Sequence, residues 1–583
     1  MDCFRSSRLA SCADNPTIHC PARHLHGTGN ATRSPAPIMP PSSPAAHRTR
    51  DIRVGSGDPR WTSERPGRIG QSACLIVLLL AYTLLAGCAT RAPLPAPPVE
   101  LARQAQPDSV YAPFEARIAA AHGADASGFR LLERSDAALR YRLMLIDTAR
   151  HSLDLQYYVW FGDTVGQLMM SRVIAAADRG VRVRILFDDL NSLLHDMASI
   201  EIRDAMLSRI DSHPNIEIRL FNSWRERSLF GRGVEAAADF SRLNRRMHNK
   251  QLIADNRTAV IGGRNIGDEY FGMNAAFGFH DLDVLGVGPV ARQASAVFDR
   301  YWNSDWVSQV RKAGTRASTS MLSQATALEP AAAARLSELS WLQPGYHWET
   351  DLSTLYDSLA PGGSVVQADP PSRAPTAHNR MPETFRALMR SAAREVLITN
   401  AYIIPDEVFI GDLHELVARG VQVRILTNSL SSHDVPAVNA HYEKWRRRII
   451  EARAVLHELR ADAALQAELV DLAPLKSAFV GLHTKAMVVD RQKSFVGSMN
   501  LDPRSGTINS EMGVIVDSAP LSAELAKRME RDMEPHNSWR LHLDESGALR
   551  WRSSAGELGA QPARSLWQRL QNIVFKLFPA DYY

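Results

Sequence analysis

Apolar and polar residues alternate along SLDLQYY (152–158), VRVRILF (181–187) and IEIRLF (216–221). Side chains two apart share one face of a strand, so this pattern predicts three half-buried strands. Between the first two, GQLMMSRVIAAADRG (166–180) has apolar positions at helical spacing and stops at Gly180. The same order returns later in the chain. ARHSLDLQYY (149–158) matches AREVLITNAY (393–402), and DRGVRVRILF (178–187) matches ARGVQVRILT (418–427). DLDVLGVGP (281–289) matches EMGVIVDSAP (511–520). The separation of the matched runs shrinks gradually from 244 to 230 residues, so order is kept and only loops differ. A duplicated unit of alternating strands and helices predicts an α/β fold with helices covering both faces of each sheet.

A tighter repeat sits inside this one. Residues 247–256 read MHNKQLIADN and residues 482–491 read LHTKAMVVDR, and each is followed by a Gly-rich stretch ending in Asn. The shared pattern is H-x-K-x4-D-x6-G-[GS]-x-N. The candidate catalytic set is therefore His248, Lys250 and Asp255 with His483, Lys485 and Asp490. If each His and Lys lie on a strand, they project from the same face. The two Asp fall where hairpin turns are expected and are read as caps of turn amides. Gly263, Asn265, Ser498 and Asn500 are candidate phosphate-binding positions, since small residues admit close approach and an amide can donate to oxygen. Facing histidines can divide the work at phosphorus, one attacking and one protonating the leaving oxygen, while Lys and Asn donors stabilise the charge. Each imidazole needs an acceptor on its second nitrogen. Asp281 and Glu511, at matching places, are the candidates, and the repeat pairs Asp281 with His248.

Composition narrows the classes. The chain has 583 residues and a formal net charge of +4, but residues 1–87 alone carry +5, so the remainder is close to neutral. That argues against broad nucleic-acid binding. All five cysteines (Cys3, Cys12, Cys20, Cys74, Cys88) precede residue 89, which removes cysteine ligands and cysteine nucleophiles from the body of the chain. No ligand-rich spacing lies near the motifs, so neither a metal nor another cofactor is expected.

The apolar run LIVLLLAYTLLAGC (75–88) follows Arg65 and Arg68 and is short for a membrane span. Leu85-Ala86-Gly87-Cys88 resembles a lipobox, which implies cleavage before Cys88 and lipidation of its thiol. The expected organisation is a disordered extension over 1–70 (an upstream start site would explain it), a signal segment over 71–88 and a tether over 89–129. A first half (130–306), a connection (307–385), a second half (386–545) and a tail (546–583) follow. In the tail, Leu566, Leu570, Ile573, Val574, Leu577 and Phe578 recur at helical spacing, which suits a membrane surface or a helix packed on the body.

The duplicated motif resembles the hallmark of the phospholipase D superfamily. That resemblance implies two α-β-α sandwich halves related by a pseudo-twofold axis, a phosphohistidine intermediate and no metal. It also implies His248 as nucleophile and His483 as general acid. LQYY (155–158), RRMHNK (245–250), DEYFG (268–272) and FHDLDVLGVGPV (279–290) are similar to bacterial cardiolipin synthases of the minor, periplasm-associated type. This implies transfer of a phosphatidyl group to phosphatidylglycerol, with phosphatidylglycerol or phosphatidylethanolamine as donor. It also implies a lipoprotein of the cell envelope facing the periplasm. The alternatives are a hydrolytic phospholipase D, a nuclease of the same superfamily and a non-enzymatic envelope lipoprotein. Gly263 departs from the commoner Ser of the family and removes one hydroxyl from the first half.

Overall fold

The computed structural model describes residues 97–189, 207–225, 229–310, 330–343, 345–371 and 378–579. These all belong to one compact unit that runs from Ala92 to Tyr583. Cys88 and the segments 1–70 and 71–88 lie outside the described residues.

Each half is built on one plan. Three strands run parallel: Ser152–Tyr157, Arg182–Asp188 and Ile216–Phe221 in one half, Glu395–Asn400, Gln422–Asn428 and Val455–Leu459 in the other. A β-hairpin then pairs antiparallel with the first of them, through Gln251–Ala254 and Thr258–Gly262, or Lys485–Val489 and Lys493–Gly497. A final strand, Asp283–Val287 or Met512–Asp517, closes against the hairpin and leads into a helix, Pro289–Trp302 or Ala519–Asp532.

The edge strand of each half joins the other half. Ser127–Leu132 pairs with Asp283–Val287 in the first half, and Ala360–Ala368 pairs with Met512–Asp517 in the second. These two edges pair with each other, with Phe129 opposite Ala360, so the two sheets become one. The stretch read as a connection, 307–385, therefore contains the opening strand of the second half. Likewise the stretch read as a tether contains the helix Ala112–His122. Tertiary pairing overrides the weak strand propensity of APGGSVVQA here.

One core lies between the halves. It combines Phe298, Tyr301 and Trp302 of one closing helix with Leu521, Leu525 and Met529 of the other, against Leu186, Ile261, Val488 and Val514 from the sheets. Burying this apolar surface holds the halves as a single body.

The hairpin turns are where the two motif aspartates sit. Asp255 and Asn256, and Asp490 and Arg491, all have positive φ, the signature of a tight two-residue hairpin turn. The carboxylates do not serve their own turns. Asp255 accepts from the amides of Arg150, His151 and Ser152 and from the Ser109 hydroxyl. Asp490 accepts from the amides of Ala393, Arg394 and Glu395. Each pins the chain entering the first parallel strand, at the end of the hairpin away from the histidine. The structural reading of both aspartates agrees with these bonds, but the amides they cap belong to the chain entering the first strand and not to the turns. Asp255 is buried and Asp490 half-buried. Replacing Asp255 by Ala strands buried donors and is expected to cost about 3 kcal/mol in denaturant unfolding, whereas Asp490→Ala costs less because its donors are near solvent.

Candidate active site

The two motif histidines and both motif lysines are buried. His248, Asn249 and Lys250 form the approach to the hairpin strand rather than part of it, and His483 likewise precedes the strand that Lys485 opens. Each lysine nonetheless reaches back to its own histidine. Lys250 Nζ donates to the His248 carbonyl at 2.7 Å, and Lys485 Nζ to the His483 carbonyl at 2.5 Å. Each lysine also lies over a tyrosine of its own half, Lys250 over Tyr158 at 5.3 Å and Lys485 over Tyr402 at 5.8 Å. Tyr158 and Tyr402 end the matched runs at 149–158 and 393–402, a signal that the sequence carried and that sequence reasoning left unused.

The acids are crossed between halves. His248 Nδ1 lies 2.8 Å from Glu511 Oε2, and His483 Nδ1 lies 2.6 Å from Asp281 Oδ2. This corrects the pairing of Asp281 with His248. The cause is in the backbone. Val480–Leu482, entering the second motif, runs parallel to Gly278–His280, so the next residues, His483 and Asp281, become neighbours. Met247 bridges Ser510 in the same sense, and the following pair is His248 and Glu511. The amides repeat the crossing: His248 N donates to Ser510 O and His483 N to His280 O, both at 2.8 Å.

Gly263 and Ser498 explain why the two acids differ in length. Ser498 Oγ donates to Glu511 Oε2 at 2.5 Å and accepts from the Met512 amide. Its hydroxyl thus orients the carboxylate and is not free for phosphate. At Gly263, an added Cβ would lie 2.2 Å from Asp281 Oδ1, so the shorter acid occupies the place of the side chain. Gly263→Ser is expected to push Asp281 off His483 and lower turnover about 10- to 100-fold, the scale of losing an orienting partner. Adding Asp281→Glu, which copies the other half, should recover part of it.

The amides of the motif have different surroundings. Asn265 donates to the Tyr270 hydroxyl at 2.9 Å and accepts from the Val159 amide. Asn500 keeps its buried side-chain oxygen without a partner among the described residues. Tyr270 and Phe279 wall His483, with ring centroids 5.2 and 5.0 Å away, and Tyr158 walls His248 at 5.0 Å.

Electrostatics separate the two histidines. Burial, then Lys250 and Lys485, hold His248 well below the ordinary imidazole range. Its partner Glu511 is pushed up to about 7 by burial, against the opposing pull of Lys250. Burial also raises Asp281, but His483, Lys485 and Arg264 outweigh it and hold that carboxyl well below its usual range. His483 is lowered by burial and Lys485, with the Asp281 charge working against them. Of the two histidines, His483 is the one whose acid partner is charged and works against the lowering by burial. Burial brings Lys250 down to about 7 and Lys485 to about 8.

A family model described as cardiolipin synthase, PLD-like domain, matches residues 143–302 and 385–533. Cardiolipin synthase C of Escherichia coli (strain K12) is 34% identical over 471 residues, covering 77% of this chain and 95% of that protein. An uncharacterized protein of Helicobacter pylori (strain 26695) is 32% identical over 427 residues, covering 71% of this chain and 80% of the other. Phosphatidylserine synthase of Haemophilus influenzae aligns in structure with a TM-score of 0.48 and 14% identity, over 72% of this chain and 90% of that one.

Proposed function

The chain belongs to the cardiolipin synthase, PLD-like domain family, and from that premise we propose that it makes cardiolipin by passing a phosphatidyl group between two phospholipids. The observation that carries this reading is the pair of buried histidines, each bonded to an acid from the opposite half.

The acid fixes the tautomer. With its Nδ1 proton held by Glu511, His248 presents the Nε2 lone pair to phosphorus. The N–P bond forms as the P–O bond to the donor headgroup breaks, and His483 Nε2 gives its proton to the departing oxygen. His483, now neutral, takes the proton from the terminal hydroxyl of phosphatidylglycerol. That oxygen attacks phosphorus and releases His248. Lys250 and Lys485 supply positive charge to the phosphoryl oxygens, and an arriving anion favours their protonated forms. Asn500 offers a further polar contact. Acylation at Cys88 would tether the domain to its lipid substrate. Among the described residues no helix is long and apolar enough to cross a membrane.

The test is incubation of the purified protein with labelled phosphatidylglycerol, with and without phosphatidylethanolamine, followed by lipid analysis. Labelled cardiolipin is the expected product. Phosphatidic acid alone would identify water as the acceptor and replace transfer by hydrolysis.

A further inference from the structure

The helix Leu566–Phe575 is mounted the wrong way round for a helix that packs by its apolar face. Its buried residues are Gln568 and Asn572. Gln568 Nε2 donates to the Leu430 carbonyl at 2.5 Å. Asn572 accepts from Asn439 at 2.7 Å and donates to Glu443 at 2.5 Å. The apolar side chains face outward instead: Leu566 is 84% exposed, Trp567 65%, Ile573 60% and Leu577 84%. Leaving such a stripe in water is unfavourable and marks an interaction surface.

We propose that this face inserts into the surface of the phospholipid bilayer and seats the second half of the active site on its substrate. The inference rests on the function proposed above for its reason but not for its test. Three observations select a lipid surface as the occupant. The stripe combines Trp567 with aliphatic residues and Arg569 stands beside it, a composition that suits a helix lying in an anionic interface, while Lys576 pairs with Glu443 of the body. Next, the helix is wired to the site. Arg564, just before it, donates to the carbonyls of Ser431 and His433. His433 stacks on Tyr402 with ring centroids 5.2 Å apart, and Tyr402 lies beneath Lys485. The loop so gripped follows Gln422–Asn428 at its carboxyl end, where ligands bind in sheets of this kind. Finally, the first half also exposes apolar side chains on a helix. The helix Leu229–Ala238, between the third parallel strand and His248, exposes Phe230 to 78% and Val234 to 44%.

The experiment uses the full chain with mixed phosphatidylethanolamine–phosphatidylglycerol vesicles carrying brominated acyl chains, which quench tryptophan on contact. Quenching should include a component that disappears in Trp567→Phe. In parallel, Leu570→Asp with Ile573→Asp should lower turnover on vesicles about ten-fold or more, by loss of buried apolar area, and spare turnover of monomeric short-chain phosphatidylglycerol. Unchanged quenching in Trp567→Phe would overturn the proposal. So would equal loss on both substrates, which would make the helix a brace, or conversion of a dimer to a monomer, which would make a second copy the occupant. A wild type that transfers no phosphatidyl group yet shows the Trp567 component would sink the proposed function and leave the docking surface standing.

Discussion

His248→Ala is expected to abolish both lipid turnover and covalent capture of label, whereas His483→Ala abolishes only the first. The nucleophile must form the N–P bond, and without its imidazole no covalent intermediate forms at that position. The acid only assists departure of the leaving oxygen, and leaving groups differ in how much they need it. A lipid headgroup leaves as a poor alkoxide. An aryl phosphodiester leaves as a stable phenolate. General-acid assistance contributes on the order of 10²- to 10⁴-fold, so the aryl substrate should restore measurable phosphoprotein in His483→Ala and none in His248→Ala. Single-turnover trapping with mapping of the labelled residue reads the result. Label on His483 in the wild type, persisting in His248→Ala, would reverse the two roles. The unequal surroundings support His248 as attacker and His483 as proton donor, because the Asp281 charge works to keep a proton on His483, while burial, Lys250 and Lys485 keep His248 neutral.

The second large effect follows from the crossing. Asp281→Asn should behave as a damaged His483, although Asp281 lies in the first half of the chain. Glu511→Gln should behave as a damaged His248. An amide in place of either carboxylate can present its NH₂ to Nδ1 and favour the wrong tautomer, a change that costs on the order of 10⁴-fold in a comparable His–acid pair. Asp281→Asn is therefore expected to lose most activity on lipid and regain it on the aryl phosphodiester. Glu511→Gln is expected to lose both. The opposite assignment of rescue would mean that each histidine works with the acid of its own half. The linkage to pH has a defined sign. Asp281 has a depressed carboxyl, so the stability it contributes is present above the ordinary carboxylate range and is lost as pH falls through its lower, folded value. Glu511 is raised, so ionising it works against the fold as pH climbs through about 7.

The duplicated motif was legible because its residues keep their spacing inside a local hairpin. The alternation of SLDLQYY and VRVRILF was legible for the same reason, and these segments do form two of the three parallel strands of the first half. The crossing was not legible. It depends on two three-residue strands, Gly278–His280 and Val480–Leu482, that meet across 200 residues of chain and carry no local signature. The opening strand of the second half was hidden by Pro361, Gly362 and Gly363, residues that locally favour loops. The apolar stripe of the tail was plain in the spacing. Its outward direction was not, because it is decided by what Gln568 and Asn572 find on the facing surface.

The exchange of acids between halves is also the contact pattern of a twofold dimer, in which one residue of each copy reaches a second residue of its neighbour and the contact is returned. Two identical copies, each lending its carboxylate to the other, would have carried two equivalent histidines. On one polypeptide the two partners need not be alike. Gly263 with Asp281 and Ser498 with Glu511 are unlike, since each small residue suits the length of the acid beside it. A symmetric pair has no way to tell attacker from proton donor before substrate arrives. This chain has the distinction written into its side chains.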